Sequence, residues 1–261
     1  MSTTPFTDPH DLAQLAERGI APSEAARQLE VMARPAAWVP LERPCRIGDG
    51  IARLDEARVE ALLAVHATAA RAGRVSAETL VLFGDGTGLD LARRPAGAAA
   101  AKILGGAAPR YAGFAENRGD TMALLDVVAA VERTIAEIRP SEMYVPHVGN
   151  LNIDHQVTYR AAVTAARPVP GLPIAAIYAY EVLSSTDWAP SSPSPFQPNR
   201  FVDISATLEK KLAALQCYAA EMRAVPHSRS HEGIISLART RGYSVGLAAA
   251  EAFMVPRQLV R

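Results

Sequence analysis

The chain is predicted to adopt an α/β fold, a mostly parallel sheet with helices on both faces, preceded by an atypical helical N-terminal segment. Three observations predict it. Short β-prone runs near 79–83, 110–114, 143–145, 174–182 and 201–204 alternate with stretches of helical periodicity, the order that builds parallel sheets. The helical stretches repeat their apolar residues three and four apart, as in Leu125, Val128, Val131, Ile135 and Ile138. Finally, Met143-Tyr144-Val145 runs into Pro146-His147-Val148-Gly149-Asn150-Leu151-Asn152-Ile153-Asp154-His155 and then into a helix. Open α/β sheets present their chemistry in such loops, beyond the carboxyl ends of strands.

In order along the chain, residues 1–40 predict two short helices, the first capped by Asp8 and ended at Gly19, the second capped by Ser23 and ended by Pro35. Each is about three turns long and needs a surface to pack on. Residues 38–51 carry Pro40, Pro44, Gly48 and Gly50 and read as an extended segment. A helix over 52–72, with Leu54, Leu62 and Val65 on its stripe and His66 at its edge, stops at Gly73. The strand at 79–83 leads into Gly84-Asp85-Gly86-Thr87-Gly88. That turn has neither the Walker spacing nor a complete dinucleotide fingerprint, and no Lys follows it.

A helix over 91–105 and a strand over 110–114 come next. Asp120 is a candidate cap for the helix 121–138. In the loop after the third strand, the residues alone allow Asp154 to be a helix cap and His155 a polar first-turn residue, with Pro168 ending that helix. Residues 187–199 hold four prolines and three serines and read as a loop or lid. Ser205 or Thr207 starts a helix to Met222, and two further short helices end near Phe253.

Composition excludes several functions. Lys plus Arg and Asp plus Glu are 27 each, so no net field draws the chain to nucleic acid or to an anionic membrane. No apolar run approaches the roughly 18 residues of a spanning helix. Cys45 and Cys217 are too few for a disulfide framework, and the first residues lack the basic and apolar regions of a secretory signal, which makes a cytoplasmic protein the expectation.

Several further segments, in a fixed order, carry a resemblance. They are 114–120 (Phe-Ala-Glu-Asn-Arg-Gly-Asp), the 146–155 loop, 180–188 (Tyr-Glu-Val-Leu-Ser-Ser-Thr-Asp-Trp), 201–205 (Phe-Val-Asp-Ile-Ser), 226–230 (Pro-His-Ser-Arg-Ser), Arg241-Gly242 and 250–253 (Ala-Glu-Ala-Phe). Over residues 76–261 the chain resembles the PIG-L or LmbE-like zinc-dependent N-deacetylases. The resemblance implies a Rossmann-like sheet, a zinc cofactor and hydrolysis of the acetamide of a small N-acetylated amino-sugar conjugate. Residues 6–75, with Arg43-Pro44-Cys45-Arg46-Ile47-Gly48-Asp49-Gly50-Ile51, resemble the start of an uncharacterised bacterial family. The chain therefore divides into a helical segment, 1–75, and a deacetylase-like domain, 76–261, that lacks its first strand.

The resemblance assigns roles residue by residue. His155 is one metal ligand, and Asp154 orients a neighbouring imidazole. His147 or His227 handles a proton, with His227 a fair candidate for the acid. Asn117, Arg118 and Asp120 face the substrate, where a guanidinium and a carboxylate grip sugar hydroxyls. Asn152 stands where many members carry a second histidine, and it offers a hydrogen bond to an oxyanion. The family's His-Pro-Asp-Asp-Glu run, which supplies two zinc ligands and the base, does not occur in this sequence. Cys45, Asp49 and Asp85 are the candidate replacements.

The expectation is therefore a metal-dependent N-deacetylase with an incomplete metal site and weak or lost activity. Two alternatives stand beside it: a non-catalytic sugar-binding or interaction protein, and a nucleotide-binding protein using Gly84 to Gly88. A small-molecule conjugate is the expected partner, with no nucleic acid and no membrane, and homo-oligomer formation is left open.

Overall fold

The structure is a computed structural model that describes residues 78–86, 88–189 and 193–260. The expected segment 1–75, with Cys45, Asp49 and His66, lies outside them. In order come β1 (Leu80–Phe83), α1 (Gly88–Leu104), β2 (Arg110–Phe114), a 3-10 turn (Gly119–Thr121), α2 (Leu124–Ile138), β3 (Glu142–Pro146), α3 (Ile153–Ala165), β4 (Ala176–Tyr180), β5 (Arg200–Asp203), α4 (Leu208–Gln216), α5 (His231–Tyr243) and β6 (Ala250–Gln258).

Strands β1 and β2 pair in parallel, and the other four form a sheet in the order β3-β4-β6-β5. Within it β3 and β4 are parallel, with Glu142 opposite Ala176 and Pro146 opposite Tyr180. Strand β6 runs antiparallel to both of its neighbours. The α/β class is as the sequence predicts, and the four-stranded sheet is mixed. Every residue of β4 is buried, which suits a central strand written as the continuous apolar run Ala-Ile-Tyr-Ala-Tyr. Because β3 and β4 are parallel neighbours, their carboxyl ends lie side by side, and the loops after Pro146 and Tyr180 emerge together.

The largest core packs Val127, Val131 and Ile135 of α2 against Ala161, Ala162 and Ala165 of α3, over Val145, Ile177 and Ala179 of the sheet. The alanine face of α3 lets two helices and a sheet approach closely. A second cluster joins Ala100, Ala101 and Leu104 of α1 to Ala214, Leu215 and Tyr218, with Ile234 of α5 beside them. On the sheet, the rings of Tyr144, Tyr178 and Phe253 pack at tilted and edge-on angles across three strands with centroids 5.0 to 6.4 Å apart. Two ion pairs pin helices to strand ends. Arg241 of α5 meets Glu181 through two hydrogen bonds of 2.7 and 2.6 Å, and Lys211 of α4 meets Glu251 of β6. Burial raises the Glu181 carboxyl above its usual range although Arg241 opposes the shift.

Four local expectations are corrected. The tail that reads as two short helices is one helix, α5, followed by strand β6, because Ala250 to Phe253 pair with β5. Helix α4 stops at Gln216, and the chain continues in turns toward Met222. Asp120 does not cap α2, which starts at Leu124 behind Ala123. The cap of α3 is Asn152, not Asp154. Among the described residues no helix is long and apolar enough to cross a membrane.

Candidate functional site

The loop after β3 is organised by asparagines. His147 continues the ladder by donating its backbone N–H to Tyr180 O at 2.9 Å. Asn150 then accepts the backbone N–H of Asn152 at 2.9 Å, accepts the Ser185 hydroxyl, and donates to Thr186 Oγ1 at 3.2 Å. Asn152 caps α3, its Oδ1 accepting from the N–H groups of Asp154 at 2.8 Å and His155 at 3.4 Å. These are two of the amides that a helix N-terminus leaves without an internal partner.

That cap fixes Asp154, which is 1% exposed. Its Oδ2 accepts from the backbone N–H of Asn117 at 2.6 Å, and its Oδ1 from that of Gly119 at 2.9 Å. The carboxylate thus holds a loop more than thirty positions upstream. The approach is close: a Cβ at Gly119 would lie 3.0 Å from Asp154 Oδ1 and 3.1 Å from Val157 Cγ2. Asn117 takes a left-handed conformation, φ +52°, which asparagine tolerates better than most residues. Arg118 and Asp120 on the same loop are exposed. So the structure brings Asn117, Arg118, Asp120, Asn152, Asp154 and His155 together around the start of α3, and His155 is 3% exposed there.

His147 sits at the strand end but is closed over. Its Nε2 lies 2.8 Å from Ser194 O, so that nitrogen carries the proton, and Phe196 covers the ring edge-on at 5.3 Å. It is 2% exposed. His227 is more open. Its Nδ1 accepts from the Arg229 backbone N–H at 3.1 Å, and Trp188 packs edge-on at 5.2 Å. With Nδ1 accepting, the neutral ring keeps its proton on Nε2. Burial holds this imidazole below its ordinary pKa, Arg223 adds to the shift and Asp187 opposes it.

The sequence reading passed over the groups that connect these loops. Arg93 of α1, 6% exposed, donates to Glu221 at 2.7 Å and to both oxygens of Glu116 at 3.2 and 3.1 Å. Glu221 also meets Arg229 at 3.4 Å. Burial nevertheless pushes the Arg229 guanidinium down to about 10. Arg93 therefore links the loop of Arg118 to the loop of His227. Nothing local marks it, since its partners lie 23 and 128 positions away.

No family model matches the sequence, and no curated protein matches it. Solved structures do. N,N'-diacetylchitobiose deacetylase from Pyrococcus horikoshii is 16% identical with a TM-score of 0.60, over 77% of this chain and 80% of its own. The zinc inhibited form of teicoplanin deacetylase Orf2 is 16% identical with a TM-score of 0.60, over 77% and 94%. GalB, the 4-carboxy-2-hydroxymuconate hydratase from Pseudomonas putida KT2440, is 20% identical with a TM-score of 0.60, over 78% and 94%.

The fold is shared with these deacetylases and with this hydratase.

Within this fold the hydratase stands beside the deacetylases, so the scaffold alone does not name a reaction. The donor set matters more. A catalytic zinc is held by three protein ligands with a fourth position open. Among the described residues no group of three or more His, Cys, Asp or Glu side chains is placed to hold a metal. Asp154 turns both oxygens to backbone amides, and Asp85 is exposed. The donor set of the described residues alone does not fit a zinc ion.

Proposed function

We propose that this chain is an N-deacetylase-type protein that recognises an N-acetylated amino-sugar conjugate and hydrolyses its acetamide weakly or not at all. The observation that carries the reading is the engagement of Asp154, whose two oxygens hold the Asn117–Gly119 loop against the start of α3, where Asn152 and His155 stand. Amide hydrolysis needs an activated water, a polarised carbonyl and a proton for the departing amine. The described residues offer parts of the second and third. The Nε2–H of His227 is a donor for a carbonyl or amine, and exposed Arg118 and Asp120 suit sugar hydroxyls. The deacetylases of the same fold support the substrate class.

Metal analysis of protein purified without chelators, paired with acetate release from N-acetylglucosamine conjugates, tests the proposal. The expected outcome is substoichiometric zinc with little or no acetate. Near-stoichiometric zinc together with steady turnover overturns it. A second reading, a sugar-binding protein with no hydrolysis at all, is favoured by one feature: the bonds of Asp154 to the amides of Asn117 and Gly119 hold in place the loop that carries Arg118 and Asp120.

A further inference from the structure

Trp188 is 49% exposed, and so large an aromatic surface left in water on a well-held turn calls for an explanation. The turn is fixed. Val182 O accepts from Ser185 N at 3.2 Å and from Thr186 N at 2.7 Å, Val182 N donates to Thr186 Oγ1 at 2.8 Å, and Asp187 Oδ1 accepts from Ser185 N at 3.0 Å. Asn150 ties the same turn to the loop of His155. Leu151, 56% exposed, joins it through a 3.3 Å hydrogen bond from its N–H to Ser185 O. Two exposed apolar side chains thus stand on two loops that are bonded to each other.

Their surroundings are polar. The rings of Trp188 and His227 meet edge to face with centroids 5.2 Å apart, and Asp187 is exposed beside them. A wholly apolar ligand lying on the indole would strip water from His227 and Asp187 without replacing their hydrogen bonds, which is costly. A ligand with one face of C–H groups and a rim of hydroxyls meets both demands. That is the form of a pyranose ring.

Resting on the sugar reading above, we propose that Trp188 is a stacking platform for the apolar face of the amino-sugar ring, with the Nε2–H of His227 bonding an oxygen at the ring's rim. Trp188 is then a specificity-determining residue of the site. The geometry requires no change of backbone, because the turn is already held in place.

The test is calorimetric titration of the full chain with methyl N-acetyl-β-glucosaminide, repeated on Trp188→Ala and Trp188→Phe and accompanied by tryptophan emission. The expected result is binding to the native chain, a loss of affinity of about tenfold in Trp188→Ala and partial retention in Trp188→Phe. The native emission should shift saturably with the same midpoint. Equal binding by native and alanine variants overturns the platform and leaves the sugar reading standing. No heat and no emission shift with the native chain overturns both. Should Trp188→Ala fail to fold, Trp188→Phe decides: an emission shift seen in the native chain and lost in this variant, whose remaining tryptophan is Trp38, supports stacking, and a shift that survives the substitution, or no shift on binding, refutes it.

Discussion

Single side chains at this site do double duty, and His227 illustrates the physics most directly. Its Nδ1 is engaged by a backbone amide, so adding a proton there breaks a hydrogen bond as well as charging a partly desolvated ring. The folded chain therefore binds fewer protons at His227 than the unfolded chain does. This contribution to stability is full above the unfolded value of about 6.5 and is lost as pH falls through the lower folded value. NMR titration of the imidazole should find it below that reference. Asp187→Asn should lower it further, and Arg223→Met should raise it, since the first partner opposes the shift and the second adds to it. Titration above the reference in the native chain contradicts this account. The helix entrance at 152–155 was legible in the sequence, but its division of labour was not: the cap expected of Asp154 is made by Asn152, and Asp154 reaches the Asn117–Gly119 loop instead. Arg93, Glu221 and Asn150 were not legible either, because their partners come from other loops and no spacing announces them.

At the level of elements, helix periodicity located α2 well, because its stripe of Val128, Val131 and Ile135 faces one continuous core. The tail misled for a physical reason. Ala250, Glu251 and Ala252 favour helix by intrinsic propensity, yet their pairing with β5 makes them the start of β6, whose later residues pair with β4. Strand preference depends on neighbours more than on the residue. The connection from α5 into that strand leaves no space at Gly242, where a Cβ would lie 2.7 Å from Ala249 Cα and from Leu247 O. Both obstacles are backbone. Gly242→Ala should cost about 1–3 kcal/mol and lower Tm by roughly 2–4 °C for each kcal/mol. Calorimetry checks it, and an unchanged Tm means that α5 does not sit against Ala249 as described.

For the whole molecule, alternating strands and helices were enough to predict the α/β class, whereas the order β3-β4-β6-β5 and the reversed direction of β6 depend on contacts between distant segments. Global charge was directly readable. With 27 bases against 27 acids and a pI near 7.0, the chain has no net repulsion at neutral pH. Solubility should pass through a minimum near pH 7 and rise at more alkaline pH, because charge of one sign keeps molecules apart. Precipitation by polyethylene glycol across that range measures it, and a steady trend through neutrality counts against it.

The carboxylate of Asp154 has a task separate from any reaction. Anchoring two amides of a remote loop is a job independent of turnover, so a lineage that abandoned hydrolysis would still be under pressure to keep an acid there. An Asp-His pair at this point is therefore a poor diagnostic of a working enzyme. Sorting active from inactive descendants calls for the partners of the imidazole next door.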